Sequence, residues 1–338
     1  VNGNFVWRDA GRTVVFHAEG IIAAPKLLAE HGMEQFELLS TSRHLGGAAD
    51  LAKAASAVHE LPPVEPAVAV PETASGLLDL VAAPNLVALG GGRAIDTAKA
   101  VAAVSGARVA AIPTTMSGAE MTGIHRLPAG AEDRARGLVR PVLVIADPAA
   151  MTSAPEVELR ASSMNALAHG ADSLYTPFSN PVSRMTALRG AEAIATSLDE
   201  DPTSRNREAL ALGSILCGYA IDSAAFSIHH VVCQTLVRIC GGAHANVNAA
   251  ILPRAMSFIA QRAPDGLEPL ATAVGTDPPS IEARLLELGG NPPGLGDQGA
   301  DPDKLSEAID AMLLRPELAF APEPPTRSDL EALIESAW

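Results

Sequence analysis

Aromatic residues are scarce. Two Trp, two Tyr and seven Phe make up 3% of the 338-residue chain. A core must therefore come from Ala, Val, Leu and Ile. With 48% hydrophobic and 19% charged residues there is ample material for one, which excludes a disordered chain. Cysteine is nearly absent. Cys217, Cys233 and Cys240 are too few and too close for a disulfide framework, and no CxxC pair stands ready for zinc. A reducing, cytoplasmic setting is expected. Positive charge is short too, with 24 Lys and Arg against 39 Asp and Glu, a net charge of −15. Without a broad basic surface the chain is not a nucleic-acid binder, although a local cluster of cations could still take an anionic substrate. Long apolar runs are missing. The longest, Leu210 to Ile228, is interrupted by Asp222 and by glycines and serines, so it reads as a buried helix and no membrane association is expected. The mixed, charged stretch Val1 to Arg12 does not read as a signal peptide.

What is present is an alternation. Short apolar runs at Thr13–His17, Gln35–Ser40, Ala67–Val70, Asn85–Leu89, Arg108–Ile112 and Val142–Ala146 read as strands. Between them, Ala24–Gly32, Leu51–Val58, Ala74–Ala82 and Arg93–Val104 read as helices. This is the pattern of a doubly wound, Rossmann-like parallel sheet. After Met151 the strands vanish and Ala/Leu-rich helical stretches take over: Ser163–Tyr175, Pro181–Ser197, Asn206–Ile228 and Val247–Arg262. At roughly 150 residues per domain, two domains are expected: an α/β domain over 1–152 and an all-α catalytic domain over 153–338, with the active site in the cleft between them.

Gly90-Gly91-Gly92 lies between a strand and a helix opening near Arg93. Glycines there allow close backbone approach, and the helix start offers free amides and a positive dipole end, which suits a pyrophosphate. Asp96 and Lys99 sit three residues apart and could pair on the helix surface. A second loop, Pro113-Thr114-Thr115 followed by Ser117-Gly118-Ala119-Glu120-Met121-Thr122, is rich in hydroxyls. Both loops follow strands, so they share the sheet edge at which open α/β folds bind ligands. In the helical half, Asn165 and His169 are four apart and share a helix face. His229 and His230 read as the end of another helix, Gln234 lies four residues beyond His230, and His244 follows Gly241-Gly242-Ala243. Histidines from separate helices can build a metal site when they meet.

Together these motifs resemble the iron-containing alcohol dehydrogenase superfamily, and within it the maleylacetate reductase branch. Gly90 through Lys99 is similar to that family's GGGSxxDxAK, and Pro113 through Thr122 to PTTxxGSEMT. Met164 through His169 is similar to the segment with the first two metal ligands, and His229-His230-Val231-Val232-Cys233-Gln234 to HHKLCH. His244 falls at the last ligand position. The resemblance implies a dehydroquinate synthase-like fold, a homodimer, and NAD(P)H-dependent reduction of maleylacetate to 3-oxoadipate in aromatic-compound degradation. It places the dinucleotide on Gly91, Gly92, Arg93, Asp96, Thr114, Thr115, Ser117, Thr122 and Thr41. It makes His169, His230, His244, Asn165 and Gln234 the catalytic set.

The departures from the family pattern carry chemistry as well. Metal-dependent members have Asp where this chain has Asn165. An amide brings no negative charge, so a metal held by Asn165, His169, His230 and His244 should bind weakly, and the resemblance implies catalysis without one. Gln234 stands where relatives carry His, and an amide cannot relay protons. Ser40-Thr41-Ser42-Arg43 lacks the Asp that would bind a ribose 2′-hydroxyl, so NADPH and NADH both remain open. For a substrate with two carboxylates, Arg126, Arg238 and Arg254 are candidate clamps. Two other readings stand beside the reductase: a dehydrogenase or carbonyl reductase of the same superfamily with another substrate, and a nucleotide-binding homologue with altered or lost activity.

Overall fold

The computed structural model describes residues 11–62 and 69–338. The chain forms two compact units, divided between Ser153 and Ala154. The first is a sheet wrapped by helices. In chain order it contains β1 (Thr13–Phe16), α1 (Gly20–Glu30), β2 (Phe36–Ser40), α2 (Ser42–Leu45), α3 (Ala49–Ala54), β3 (Ala57–Glu60), α4 (Val70–Leu77), β4 (Asn85–Gly90), α5 (Gly92–Ser105), β5 (Arg108–Pro113), β6 (Leu143–Ala146) and α6 (Pro148–Met151). All six strands run parallel, in the order β1-β6-β5-β4-β2-β3.

Strand period explains the two faces of this sheet. Val87 and Leu89 point with Leu38, Ile112 and Ile145 into a layer closed by Ala24 and Leu28 of α1 and Leu51 of α3. Leu86 and Ala88 point the other way, with Leu39, Val109 and Ala111, onto Ile95, Ala98 and Val101 of α5 and Ala74 of α4. Strands buried on both faces read as continuous apolar runs, which is why the central strands are visible in sequence.

Two readings at the sheet's far edge need correction. The helix expected over Leu51–Val58 stops at Ala54, and Ala57–Glu60 is a strand instead. Pairing overrides local propensity there: β3 runs beside β2, and the His59 ring bonds the Glu37 carboxylate at 2.6 Å across the two strands. Of the strand expected over Ala67–Val70, residues 67 and 68 lie outside the described residues. Val70 opens α4 with Pro71 in its first turn, where a missing N–H costs nothing.

The second unit is helical. It contains α7 (Glu156–Tyr175), α8 (Pro181–Asp199), α9 (Arg207–Ala224), α10 (Ile228–Ile239), α11 (His244–Arg262), α12 (Pro264–Ala273), α13 (Ile281–Leu288), α14 (Leu305–Leu313) and α15 (Arg327–Glu335). Small residues let α8 and α9 approach closely, since a Cβ on Gly190 would lie 2.8 Å from the Gly213 carbonyl oxygen. The helix expected over Asn206–Ile228 is broken. It ends at Ala224, Ala225 has φ 60°, and α10 begins at Ile228 after a bend of 98°. His229 and His230 therefore open a helix rather than ending one. Among the described residues no single helix is long and apolar enough to cross a membrane.

Candidate active site

The strand order places a switch point between β2 and β4, whose onward connections leave in opposite directions. Open α/β sheets bind ligands outside the carboxyl ends of such a pair. Here those ends are Ser40-Thr41 and Gly90-Gly91. The Ser40 hydroxyl ties them together by donating to the Leu89 carbonyl at 2.8 Å. Thr41 pairs its hydroxyl with the His44 ring at 2.9 Å, and Ser42 and Arg43 open α2 on the exposed side.

Gly91 caps α5, so the amides of Gly92 and Arg93 have no acceptor within the helix. A Cβ on Gly91 would stand 3.1 Å from the Thr115 side chain, and one on Gly92 3.0 Å from Ser117. The Thr114 and Thr115 hydroxyls are buried and have no hydrogen-bond partner among the described residues. Orphaned buried hydroxyls beside unbonded helix amides are what a diphosphate would satisfy. These residues fit a dinucleotide. The Arg93 guanidinium, in contrast, reaches back to the Pro62 carbonyl, so a phosphate would meet this residue's backbone amide.

The Asp96–Lys99 pair is not on the surface. Lys99 is fully buried, 2.8 Å from the Asp96 carboxylate, and donates to the carbonyls of Ala119 at 2.9 Å and Ile124 at 2.8 Å. It thereby anchors the Ser117–Thr122 loop to α5. Thr122 is buried on that loop. So is Glu120, whose two carboxyl oxygens have no hydrogen-bond partner among the described residues. Burial pushes its pKa up to about 7, opposed by its own backbone amide and by the charges of Lys99 and Arg12, with the charge of Asp96 adding to the rise.

The second cluster lies within the helical unit. Asn165 and His169 are buried one turn apart on α7. The His169 and His230 rings stack with centroids 5.0 Å apart and planes 19° apart. One residue missed by the motif reading organises this cluster: Asp172. Its wholly buried carboxylate accepts from the His230 ring at Nδ1 (2.8 Å), from the backbone amides of Ser227 (3.0 Å) and His230 (3.2 Å), and from the Tyr175 hydroxyl. The signal was present as an acidic residue in an apolar helix run, three positions after His169.

Asp172 also explains the break between α9 and α10. A carboxylate at the start of α10 meets its free amides and the positive end of its dipole. That offsets the strain of Ala225 in an unfavourable backbone region, about 1–3 kcal/mol. Burial opposes ionisation of Asp172, but the hydrogen bond and charge of His230, helped by Tyr175, outweigh it and hold the pKa down at about 2.

With Nδ1 engaged, His230 presents Nε2, which has no partner among the described residues; nor has Nδ1 of His169. Burial, reinforced by the charge of His230, keeps His169 well below the ordinary histidine range. His229 is likewise held down by burial, at about 3, and bonds the Asn248 side chain at 2.8 Å. Asn248 in turn donates to the His244 carbonyl at 2.6 Å. His244 is the exposed first residue of α11, and its charge adds to the lowering at His169 and His229. Gln234 is half-buried one turn beyond His230 and accepts from Arg315 at 3.3 Å.

The candidate carboxylate clamps fare differently. Arg126 and Arg238 are exposed, and Arg254 donates to the Ser336 and Ala250 carbonyls.

The fold family implies iron, and these residues do not fit it. Asn165, His169, His230 and His244 offer three imidazoles and an amide with no anion. The nearby Asp172 carboxylate bonds Nδ1 of His230 and two amides, so it would stand behind a ligand and not in contact with the metal. Among the described residues no three His, Cys, Asp or Glu side chains gather as a metal centre.

Comparison with known proteins agrees with this architecture. The sequence profile described as iron-containing alcohol dehydrogenase matches residues 15–155, and that of the Fe-containing alcohol dehydrogenase family, C-terminal, matches residues 160–338. Maleylacetate reductase 1 of Rhodococcus opacus is 34% identical over 278 residues, covering 80% of this chain and 77% of the relative. Maleylacetate reductase of a Rhizobium strain is 29% identical, covering 99% and 97%. The crystal structure of maleylacetate reductase from Agrobacterium tumefaciens superposes with a TM-score of 0.84 at 27% identity, covering 99% of this chain and 98% of that one. The chain belongs to the iron-containing alcohol dehydrogenase family, in the branch that resembles the maleylacetate reductases.

Proposed function

We propose that the protein is an NAD(P)H-dependent reductase that converts maleylacetate to 3-oxoadipate without a metal ion, working as a cytoplasmic homodimer. The observation that carries this reading is the stacked His169–His230 pair with two unengaged ring nitrogens and a carboxylate behind one of them. The relatives' shared name supplies the substrate. A reduced nicotinamide, when bound, supplies the hydride. On the sheet unit, the amides of Gly92 and Arg93 and the hydroxyls of Thr114 and Thr115 hold the diphosphate, and Asp96 with Lys99 keeps the Ser117–Thr122 loop in place. Thr41 and Arg43 at the end of β2 leave both NADH and NADPH acceptable.

On the helical unit, the residues manage the charge that develops when hydride adds to the alkene carbon remote from the ketone. Negative charge then collects on the ketone oxygen as an enolate. Donors aimed at such an oxygen contribute on the order of 3–4 kcal/mol each. His230 fits this role. Asp172 fixes Nδ1–H and stabilises the cationic ring, so Nε2–H can donate to the oxygen and pass a proton to the enolate. His169, kept neutral, is a second hydrogen-bonding group. His244 adds a donor from the start of α11, and Asn165 and Gln234 line the same cluster without titrating. The test is the oxidation of NADH or NADPH, followed at 1:1 stoichiometry with 3-oxoadipate formation. Absence of turnover with either nucleotide would sink this reading.

A further inference from the structure

A dianionic substrate approaching a chain of net charge −15 needs a local cation to hold it. On the face of α10 that carries His230, Gln234 lies one turn further along, and its side-chain oxygen accepts from Nη2 of Arg315 at 3.3 Å. The Phe226 ring packs between the two ends of this arrangement. Its centroid is 5.7 Å from that of His230 and 5.8 Å from Cζ of Arg315. The guanidinium and the His230 imidazole thus both pack against the Phe226 ring.

Arginine has five N–H donors in two bidentate edges. One edge of Arg315 is taken: Nε donates to Glu317 at 3.0 Å and Nη2 at 2.9 Å. The other edge holds only the long bond to Gln234. Nη1 makes no hydrogen bond among the described residues, and the Gln234 amide nitrogen makes none either. Glu317 fixes the guanidinium plane, and the 3₁₀ turn Pro316–Phe320 is pinned to the break before α10, where the Ser227 hydroxyl donates to the Glu317 carbonyl at 2.9 Å. The result is a guanidinium held by Glu317 on one edge, with Nη1 and the Gln234 amide nitrogen left as open donors on the other.

We propose that the open edge of Arg315, with the Gln234 amide, is the receptor for the substrate carboxylate that lies beyond the ketone, and that it sets a preference for dicarboxylates. This rests on the function proposed above. A carboxylate replaces the long Gln234 contact with two charge-assisted bonds, and Gln234 turns its own N–H donors toward the same anion. Gln suits this position because it stays a donor at every pH.

The experiment is calorimetric titration of the full chain with two inert probes, adipate and hexanoate, which differ by one carboxylate. Adipate is expected to bind at least tenfold tighter than hexanoate. Arg315→Met should bring that ratio close to one, and Arg315→Lys, which keeps the charge and loses the fork, should retain part of it. Glu317→Gln should tighten adipate several-fold by releasing the guanidinium from its anion, a gain that a merely structural role does not produce. A ratio near one in the parent protein, or an unchanged ratio in Arg315→Met, overturns the receptor. A parent protein that prefers adipate but never reduces maleylacetate refutes the reaction and supports the receptor.

Discussion

Asp172 and His230 are joined by a 2.8 Å hydrogen bond from the imidazole Nδ1 to a carboxylate that solvent does not reach. The same carboxylate caps the first turn of α10. One residue therefore fixes both the ring's tautomer and the helix that carries it.

Asp172→Asn should separate these roles. The amide oxygen can still accept from the α10 backbone, but it no longer stabilises a cationic ring. General acid catalysis contributes roughly 10²–10⁴-fold, so kcat is expected to fall by about 100-fold or more with nucleotide affinity unchanged. The acid limb of the stability profile should change as well. The carboxyl is depressed from 3.8 to about 2 in the native state, so its contribution is complete above pH 3.8 and is lost as pH falls through about 2. The variant should not show that loss; thermal melts across this range check it. Retention of kcat would exclude His230 as the proton donor.

Gly91→Val tests the nucleotide site. A Cβ there already meets Thr115 at 3.1 Å, and two further methyls would fill the space into which the diphosphate must come. Fluorescence titration should show NADH affinity reduced at least 100-fold. The backbone of Gly91, at φ −78°, is open to any residue, so any loss of stability comes from crowding Thr115, and a thermal melt reads it separately from the loss of affinity. Unchanged titration would move the diphosphate elsewhere.

The strands buried on both faces were legible because β4 and β5 are continuous apolar runs ended by glycine or proline. The glycine turn and the Thr114–Thr122 loop were legible by composition. β3 was not, because Ala57-Val58-His59-Glu60 has no strong preference and becomes a strand only beside β2. The break at Ala225 was hidden for a similar reason. Its cause is Asp172, 53 residues earlier in sequence, and a local window sees only an unbroken apolar stretch. Lys99 misled through charge: lysine is rarely fully buried, and only three-dimensional contact supplies the carboxylate and two carbonyls that make burial tolerable. Arg315 belongs to a Pro-rich region without motif, so nothing in sequence connected it to Gln234.

Activity is expected to survive metal removal. Three imidazoles and the Asn165 amide put no anion in direct contact with a divalent ion, and a buried charge without a directly paired anion costs several kcal/mol. Dialysis against a strong chelator should leave kcat within about twofold, and elemental analysis should find less than stoichiometric iron or zinc. Asn165→Asp should raise divalent affinity by restoring one negative charge at a position buried one turn from His169. Activity lost to the chelator and restored by a divalent ion would falsify the metal-independent reading.

Glu120 should make the sheet unit less stable as pH rises. Its carboxyl is buried without a hydrogen-bond partner among the described residues, and burial raises its pKa from 4.5 to about 7. Below pH 4.5 the folded and unfolded chains both hold the proton. Between 4.5 and about 7 the unfolded chain releases it while the folded one retains it, so folding stability falls across that window and then levels off. The full penalty is roughly 3 kcal/mol by linkage. Glu120→Gln has nearly the shape of the protonated acid and never ionises. Its melting temperature should match the parent's near pH 4.5 and exceed it by several degrees at pH 8. The loop carrying Glu120 is held by Lys99 through the Ala119 carbonyl, so the same variant should weaken the pH dependence of nucleotide affinity above neutrality. An equal offset in melting temperature at both pH values would show that folding does not raise the Glu120 pKa, with Lys99 and Arg12 compensating its charge.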